Sequence, residues 1–277
     1  MIKDDYILTT DNYYNSESNL HYVDYSTYKE FCGSPSKKGC ECRGLAEANG
    51  SWVRPKTKAL AVGSFVDSYF EGSLSQWIKD NPECFRKDNE LRAEFKHAMA
   101  MIKRAIKEPL FMSYMQGEKQ KILTAEIAGV PIRVKMDVFN EERKFVTDLK
   151  TAQSIHKTYY AADLGERLAF WEHFAYDVQA VFYTQAVLQN YGFMPDYYLC
   201  VITKEKEDGV PHPRLAVIHI PETRIREKLS EVEMKIPKVW SILKGEYDAI
   251  PCGTCAWCAD NLPLDTIYEA DEILLDI

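Results

Sequence analysis

Residues 131–139, Pro-Ile-Arg-Val-Lys-Met-Asp-Val-Phe, alternate apolar and polar side chains. A period of two is what a β-strand sorts onto opposite faces. Ile132, Val134, Met136 and Val138 are expected on one face, with Arg133, Lys135 and Asp137 on the other. Asn140-Glu-Glu-Arg143 reads as a four-residue turn, and 144–150, Lys-Phe-Val-Thr-Asp-Leu-Lys, as the returning strand. So short a link makes the pair an antiparallel hairpin. Residues 119–128 predict a further strand, ended by Gly129.

Around this unit the period switches to that of helices. Residues 58–72 and 89–107 predict helices, the second amphipathic, basic and stopped before Pro109. Residues 165–190 predict one long helix ended by Gly192. Runs at 196–203 and 214–220 suit buried strands, and Pro221 opens a last helix to about Gly245. The expected fold is mixed α/β: a mixed central β-sheet flanked by helices, with the antiparallel hairpin at its heart. A chain of 277 residues fits one domain. Within it, 1–24 form a polar N-terminal segment, 25–259 the core and 260–277 an acidic C-terminal tail.

The hairpin also carries chemistry. Asp148 and Lys150 are two apart on a strand, so both leave the same face. Strand parity sets Asp137 opposite or diagonal to Asp148. Two neighbouring carboxylates repel unless a cation sits between them, and oxygen ligands of this kind select Mg²⁺ or Mn²⁺. A lysine beside such an ion can orient a water and stabilise charge on a phosphoryl oxygen. Acid-x-Lys alone is common here, at Glu94/Lys96, Glu142/Lys144 and Glu233/Lys235. The hairpin pair differs because aspartate, disfavoured in strands, interrupts both of them. Gln179 and Tyr183 add an i, i+4 polar pair on the predicted long helix.

Gly63-Ser-Phe-Val-Asp67, Asp137, Asp148-Leu-Lys150-Thr and Gln179-x-x-x-Tyr183, in that order, resemble the PD-(D/E)XK nuclease superfamily. They look most like its phage and prophage RecE-like exonucleases, relatives of the RecB nuclease domain. The resemblance runs from about residue 25 to 258 and implies a restriction-endonuclease-like core. It implies metal ligation by Asp137 and Asp148 and a water-positioning role for Lys150. Gln179 and Tyr183 would lie beside the scissile strand. Asp67 stands where the family usually has a histidine on the metal, and Glu126 is a weaker additional carboxylate. The implied activity is Mg²⁺-dependent 5′→3′ digestion of linear duplex DNA ends, exposing single strands for phage-type recombination. A single-strand annealing protein would be the partner, and rings the assembly. Two alternatives stay open: a single-strand nuclease of the iron–sulfur CRISPR-associated type, or a DNA-binding module of the same fold without activity.

Cys252-Gly-Thr-Cys255-Ala-Trp-Cys258 sets three thiols on one short loop, a pattern for a metal that needs a fourth ligand. Cys40-Glu-Cys-Arg43 resembles the family's N-terminal element and points to Cys40 over Cys32 or Cys42. One upstream cysteine with three near the C-terminus resembles the iron–sulfur staple of RecB-like nucleases, which implies a 4Fe–4S cluster, with structural Zn²⁺ or no metal as the alternatives. Cys84 and Cys200 read as ordinary buried thiols.

No apolar run is long enough to span a bilayer and no secretory leader opens the chain, so a cytoplasmic protein with reduced thiols is expected. The net charge of −8 disfavours a nucleic-acid partner, but residues 84–136 alone carry eleven bases against six acids. A local basic surface is compatible with that balance. Arg54, Lys56 and Lys58 are further phosphate candidates, and Gly33-Ser-Pro-Ser-Lys-Lys-Gly39 is a loop by composition. No histidine pair, ATP-binding loop or serine elbow is present.

Overall fold

The computed structural model describes residues 6–55, 57–161, 164–265, 267 and 269–270. Lys56, the acids at 4, 5, 271, 272 and 276, and the outer parts of both terminal segments lie outside them. The chain runs α1 (Tyr25–Cys32), α2 (Glu41–Ala48), α3 (Lys58–Glu71), α4 (Leu74–Asp80), α5 (Ala93–Ala105) and α6 (Pro109–Tyr114). Strands β1 (Glu118–Ile127), β2 (Val130–Asn140) and β3 (Phe145–Ala152) follow, with the small pair β4 (Thr158–Ala161) and β5 (Glu166–Ala169). Then come α7 (Phe170–His173), α8 (Tyr176–Tyr191), β6 (Asp196–Thr203), β7 (Lys206–Glu207), β8 (Val210–Pro211), β9 (Leu215–Ile220), α9 (Glu222–Leu243) and α10 (Ala256–Asn261).

The central sheet has the order β1-β2-β3-β6-β9. Its pairs are antiparallel except β3 and β6, which run parallel across the α8 crossover. Ala128 and Gly129 both take positive φ, 50° and 78°, as a two-residue hairpin turn between β1 and β2 requires. Asn140 closes the next turn by accepting the Arg143 N–H at 2.9 Å. Helix α3 is capped by Thr57, which accepts the Leu60 N–H, and ends on left-handed Gly72. β6 is buried on both faces. Tyr197, Leu199 and Val201 pack toward α1, α8 and α9, while Cys200 and Ile202 pack toward α3 and α5. No helix among the described residues is long and apolar enough to cross a membrane.

Three expectations change. The stretch 165–190 is not one helix: Glu166–Ala169 pair with β4, α7 is a single turn, and Ala175 at φ 58° breaks the run before α8. Its apolar spacing persists across the break, so periodicity could not locate it. The Tyr25 hydroxyl, from the other end of the chain, donates to the carbonyls of Phe174 and Ala175 at 3.0 and 2.9 Å and holds the bend. The alternation of β2 also slips, because Met136 packs with the α8 layer and Val138 with the α3 layer. The slip falls where the β1 ladder skips Gln120, whose φ is 54°. Arg133 is not on an open face. It is 2 % exposed, paired with Asp24 at 3.0 Å and stacked over Tyr13.

On α1 and α2, Glu30 is buried and meets Arg54 at 2.6 Å, Lys37 at 2.9 Å and Arg43 at 3.0 Å. Burial alone would raise its carboxyl, but hydrogen bonds from Arg54 and Lys37 hold it down at about 2, against an ordinary 4.5. A carboxylate depressed in the fold stabilises above its unfolded value and loses that stabilisation as pH falls through the folded one. Glu30→Gln is therefore expected to cost about 3 kcal/mol at pH 7. In urea titrations the gap from wild type should close between about pH 4.5 and 2. A gap that stays constant with pH would show that Glu30 acts by packing alone.

Candidate active site

β2 and β3 pair only at their turn end, through Val138↔Thr147, Phe139↔Val146 and Asn140↔Phe145. One step further that register sets Asp137 opposite Asp148, and there the strands part. The Asp137 carboxylate fills the gap by accepting the Leu149 N–H at 2.8 Å. Thus the carboxylate takes the place of a ladder partner for a backbone donor at the fork.

Asp148 is 2 % exposed. Its Oδ1 accepts a hydrogen bond from Gln179 Nε2 at 2.9 Å, and its Oδ2 meets Lys150 Nζ at 2.5 Å. Both oxygens of this buried carboxylate are thus engaged from within the protein, one by an amide and one by an ammonium. Gln179 also donates to the Tyr183 hydroxyl at 2.9 Å, and that hydroxyl donates to the Lys135 carbonyl at 3.1 Å. One turn of α8 thereby ties β3 to the freed edge of β2. The sequence-predicted Asp148, Lys150, Gln179 and Tyr183 form one connected network, with Asp137 at its rim.

Burial pushes the Asp148 carboxyl up to about 6, with Lys150 opposing and Asp137 adding. For Lys150, burial pulls the ammonium down, but Asp148 and then Tyr176 and Asp137 hold it above the usual lysine range. Lys150 is therefore a cation. Asp67, on α3, is raised well above an ordinary carboxyl by burial and then by Asp137, against the pull of Lys150. It shares with Glu71, Lys119 and Asp137 a cleft of about 10 Å³, room for about one water-sized sphere. Among the described residues, the three aspartates do not bring one carboxylate oxygen each all within 4.8 Å of one another. The donor set still fits a hard divalent cation: it is all oxygen, and Asp67, Asp137 and Asp148 crowd like charge. Glu126 does not join. It faces Pro131, six residues along β2 from Asp137, or roughly 20 Å.

Sequence reasoning missed Tyr176, whose ring lies 4.9 Å from Lys150 Nζ. Its spacing from Gln179 and Tyr183 on one helix face was the available signal. It also missed Tyr25, whose grip on the bend sets where α8 begins.

At the far end of α2, Cys40 lies 3.7 Å from Cys258, which lies 3.9 Å from Cys252 and 3.6 Å from Cys255. All four sulfurs fall within 4.8 Å of one another, and the set could bind a metal. Cys42 instead reaches the Ala249 carbonyl, and Cys32 sits beside Tyr28. Cys84 and Cys200 are buried in the α3 layer.

The family described as "PDDEXK-like domain of unknown function (DUF3799)" matches residues 24–261. A crystal structure described as a "putative exonuclease" from Eubacterium rectale superposes with a TM-score of 0.92 at 37% identity, covering 98% of this chain and 100% of that one. The structure of SSO0001 aligns at 17% identity over 70% of this chain and 83% of that one, with a TM-score of 0.26. No curated protein matches the chain. The PD-(D/E)XK resemblance and the mixed sheet flanked by helices are thus both found, and they support a nuclease.

Tyr183→Phe removes the hydroxyl that joins Gln179 to the Lys135 carbonyl. It is expected to destabilise the protein by about 1–2 kcal/mol in urea unfolding, since a buried carbonyl loses its donor. A change under about 0.5 kcal/mol would mean the network is not holding the fork.

Proposed function

The chain belongs to the PDDEXK-like family of unknown function (DUF3799), and from that premise we propose that it is a divalent-metal-dependent DNA exonuclease. The observation that carries this reading is the buried Asp148–Lys150 pair, bonded to Gln179 at the fork where Asp137 and Asp67 approach. A bound Mg²⁺ or Mn²⁺ supplies polarisation of a phosphoryl oxygen and a more acidic water. Asp137 and Asp148 would hold it, with Asp67 beside them in place of the family's histidine.

The protein's own residues do the rest. Lys150, kept cationic by Asp148, orients the attacking water and offsets charge on the phosphate. Tyr176 confines that ammonium from its open side. Gln179 fixes the Asp148 rotamer and Tyr183 anchors Gln179. The RecE-like resemblance supplies the finer reading: 5′→3′ digestion of linear duplex ends inside the cell, a single-strand annealing partner and assembly into a ring.

Asp148→Asn and Lys150→Ala are each expected to lower Mg²⁺-dependent digestion of end-labelled linear duplex by at least about 100-fold. Label release from the 5′ end first would support the polarity. Digestion at wild-type rate by either variant defeats the assignment.

For the cysteine set we propose a structural Zn²⁺. Zinc–thiolate bonds of about 2.3 Å give tetrahedral sulfur–sulfur edges of about 3.8 Å. The contacts of 3.6 to 3.9 Å support that ion over a 4Fe–4S cluster, which holds its thiolates farther apart on the outside of a cube. Such an ion would join α2 to the loop before α10 and add its binding free energy to folding. Metal analysis should find one zinc per chain, lost in Cys258→Ser together with thermal stability. Brown, iron-loaded protein after anaerobic purification would replace zinc with the cluster.

A further inference from the structure

Part of the excess of bases over 84–136 is taken up by ion pairs. Arg86 pairs with Asp88, Lys96 with Glu90 and Arg104 with Glu108, each within the stretch itself. Positive charge also gathers on the loop 33–39 and the segment after α2, which the network at the fork leaves unused.

The loop is rigid. Ser34 and Lys37 exchange backbone hydrogen bonds at 2.9 and 3.0 Å, and Gly33 takes φ 81°. At Gly39 a Cβ would fall 2.3 Å from the Phe31 carbonyl oxygen, so only glycine lets the loop fold back this tightly. The result is a fixed pair, Lys37 and Lys38, held out between two cavities.

The first cavity, about 460 Å³, is lined by Lys29, Lys37 and Arg54. The carboxylates on its wall are already committed: Asp24 to Arg133, Glu30 to Lys37 and Arg54, Glu47 to Arg54. Among the described residues Lys29 Nζ makes no ion pair; it lies over the Tyr25 ring at 4.9 Å. Burial and then Lys150 pull its ammonium down to about 8. Tyr14 lines the same cavity and carries Lys135 Nζ over its ring, which joins the cavity to the fork. The second cavity, about 350 Å³, shares Lys37 and Arg54 with the first and adds Lys38 and Trp52. Among the described residues no acid lines it, and it ends at Cys252 and Cys255.

We propose that these two cavities form one trough that binds a single nucleic-acid strand between the fork and the cysteine set. Lys29 and Lys38 meet phosphates, Lys37 and Arg54 shape the wall between them while paired to Glu30, and Trp52 stacks on a base. Lys37 and Arg54 are paired with the wall's own acids, so the surplus positive charge sits on Lys29 and Lys38, which suits a polyanion, and a half-buried indole beside them suits a sequence-tolerant stacking platform. The inference rests on the nuclease reading, because it names the path of that site's substrate. It also gives the cysteine set a second task, since the loop it anchors forms one wall.

The test is binding of a short labelled oligothymidylate to the full chain with no added divalent cation, read by anisotropy and tryptophan quenching over a salt series. Trp52→Ala should bind roughly 10-fold more weakly and lose part of the quenching, while Trp52→Phe keeps most of the affinity. Lys38→Glu, at an exposed loop position, should lower the slope of log affinity against log salt by about 0.7 or more. Wild-type affinity and slope in both Trp52→Ala and Lys38→Glu would overturn the trough, as would a wild type that binds no strand. A protein that binds through these residues yet cuts no DNA with Mg²⁺ or Mn²⁺ sinks the nuclease reading alone. One that cuts while all variants bind alike sinks the trough alone.

Discussion

The parting of β2 and β3 is the constraint on which the rest depends. A sheet is stable because each buried N–H and C=O finds a partner, and a fork leaves such groups stranded on both strands. Here the replacement partners are side chains and a separate segment in place of ladder backbone. Asp137 takes the Leu149 N–H, Tyr183 donates to the Lys135 carbonyl, and Val23 bonds both Pro131 and Arg133 on the edge that β3 has left. The groups that mend the fork are also those that form the candidate site. A functional cleft and a folding defect are therefore one feature, and substitution there is felt in both stability and chemistry.

Burial sets the electrostatics of that cleft. Asp148 is nearly inaccessible, so its charge is tolerable only because Lys150 and Gln179 face it. Asp67 and Asp137 add like charge nearby, which pushes acid groups up and leaves the set short of positive charge. The same economy runs through α1 and α2, where Glu30 gathers three cations. In one place excess acid waits for a cation, and in the neighbouring trough excess base waits for an anion. A metal-dependent enzyme acting on a phosphodiester strand would need both.

The chain ends are tied into this arrangement by side chains far apart in sequence. Cys40 caps the start of α2 and meets Cys252, Cys255 and Cys258 from the loop and helix after α9. Lys238 on α9 also reaches Glu41 at 2.6 Å, and Glu41 accepts the Ile250 N–H. These contacts place the base-rich loop 33–39 against the end of the chain. They explain why a cysteine pattern with no part in the cleft can still bear on what the cleft receives.

Period and turn chemistry were enough to read β1, β2, β3, β6, β9, α3, α5 and α9, because each buries one face or a continuous run and so writes its geometry into residue spacing. Asp148, Lys150, Gln179 and Tyr183 were legible for the same reason: strand and helix periods fix which side chains share a face. The sequence could also assign three of the four clustered thiols by proximity along the chain. What it could not carry were features made by distant partners. The break at Ala175 depends on Tyr25, the slip in β2 on Gln120 across the ladder, and the burial of Arg133 on the N-terminal segment. The basic trough likewise exists only because α1, the loop 33–39 and the cysteine loop meet in space. Local spacing determines which face a side chain leaves; only the closed fold decides what stands opposite it, because that contact energy belongs to pairs of segments and not to either one.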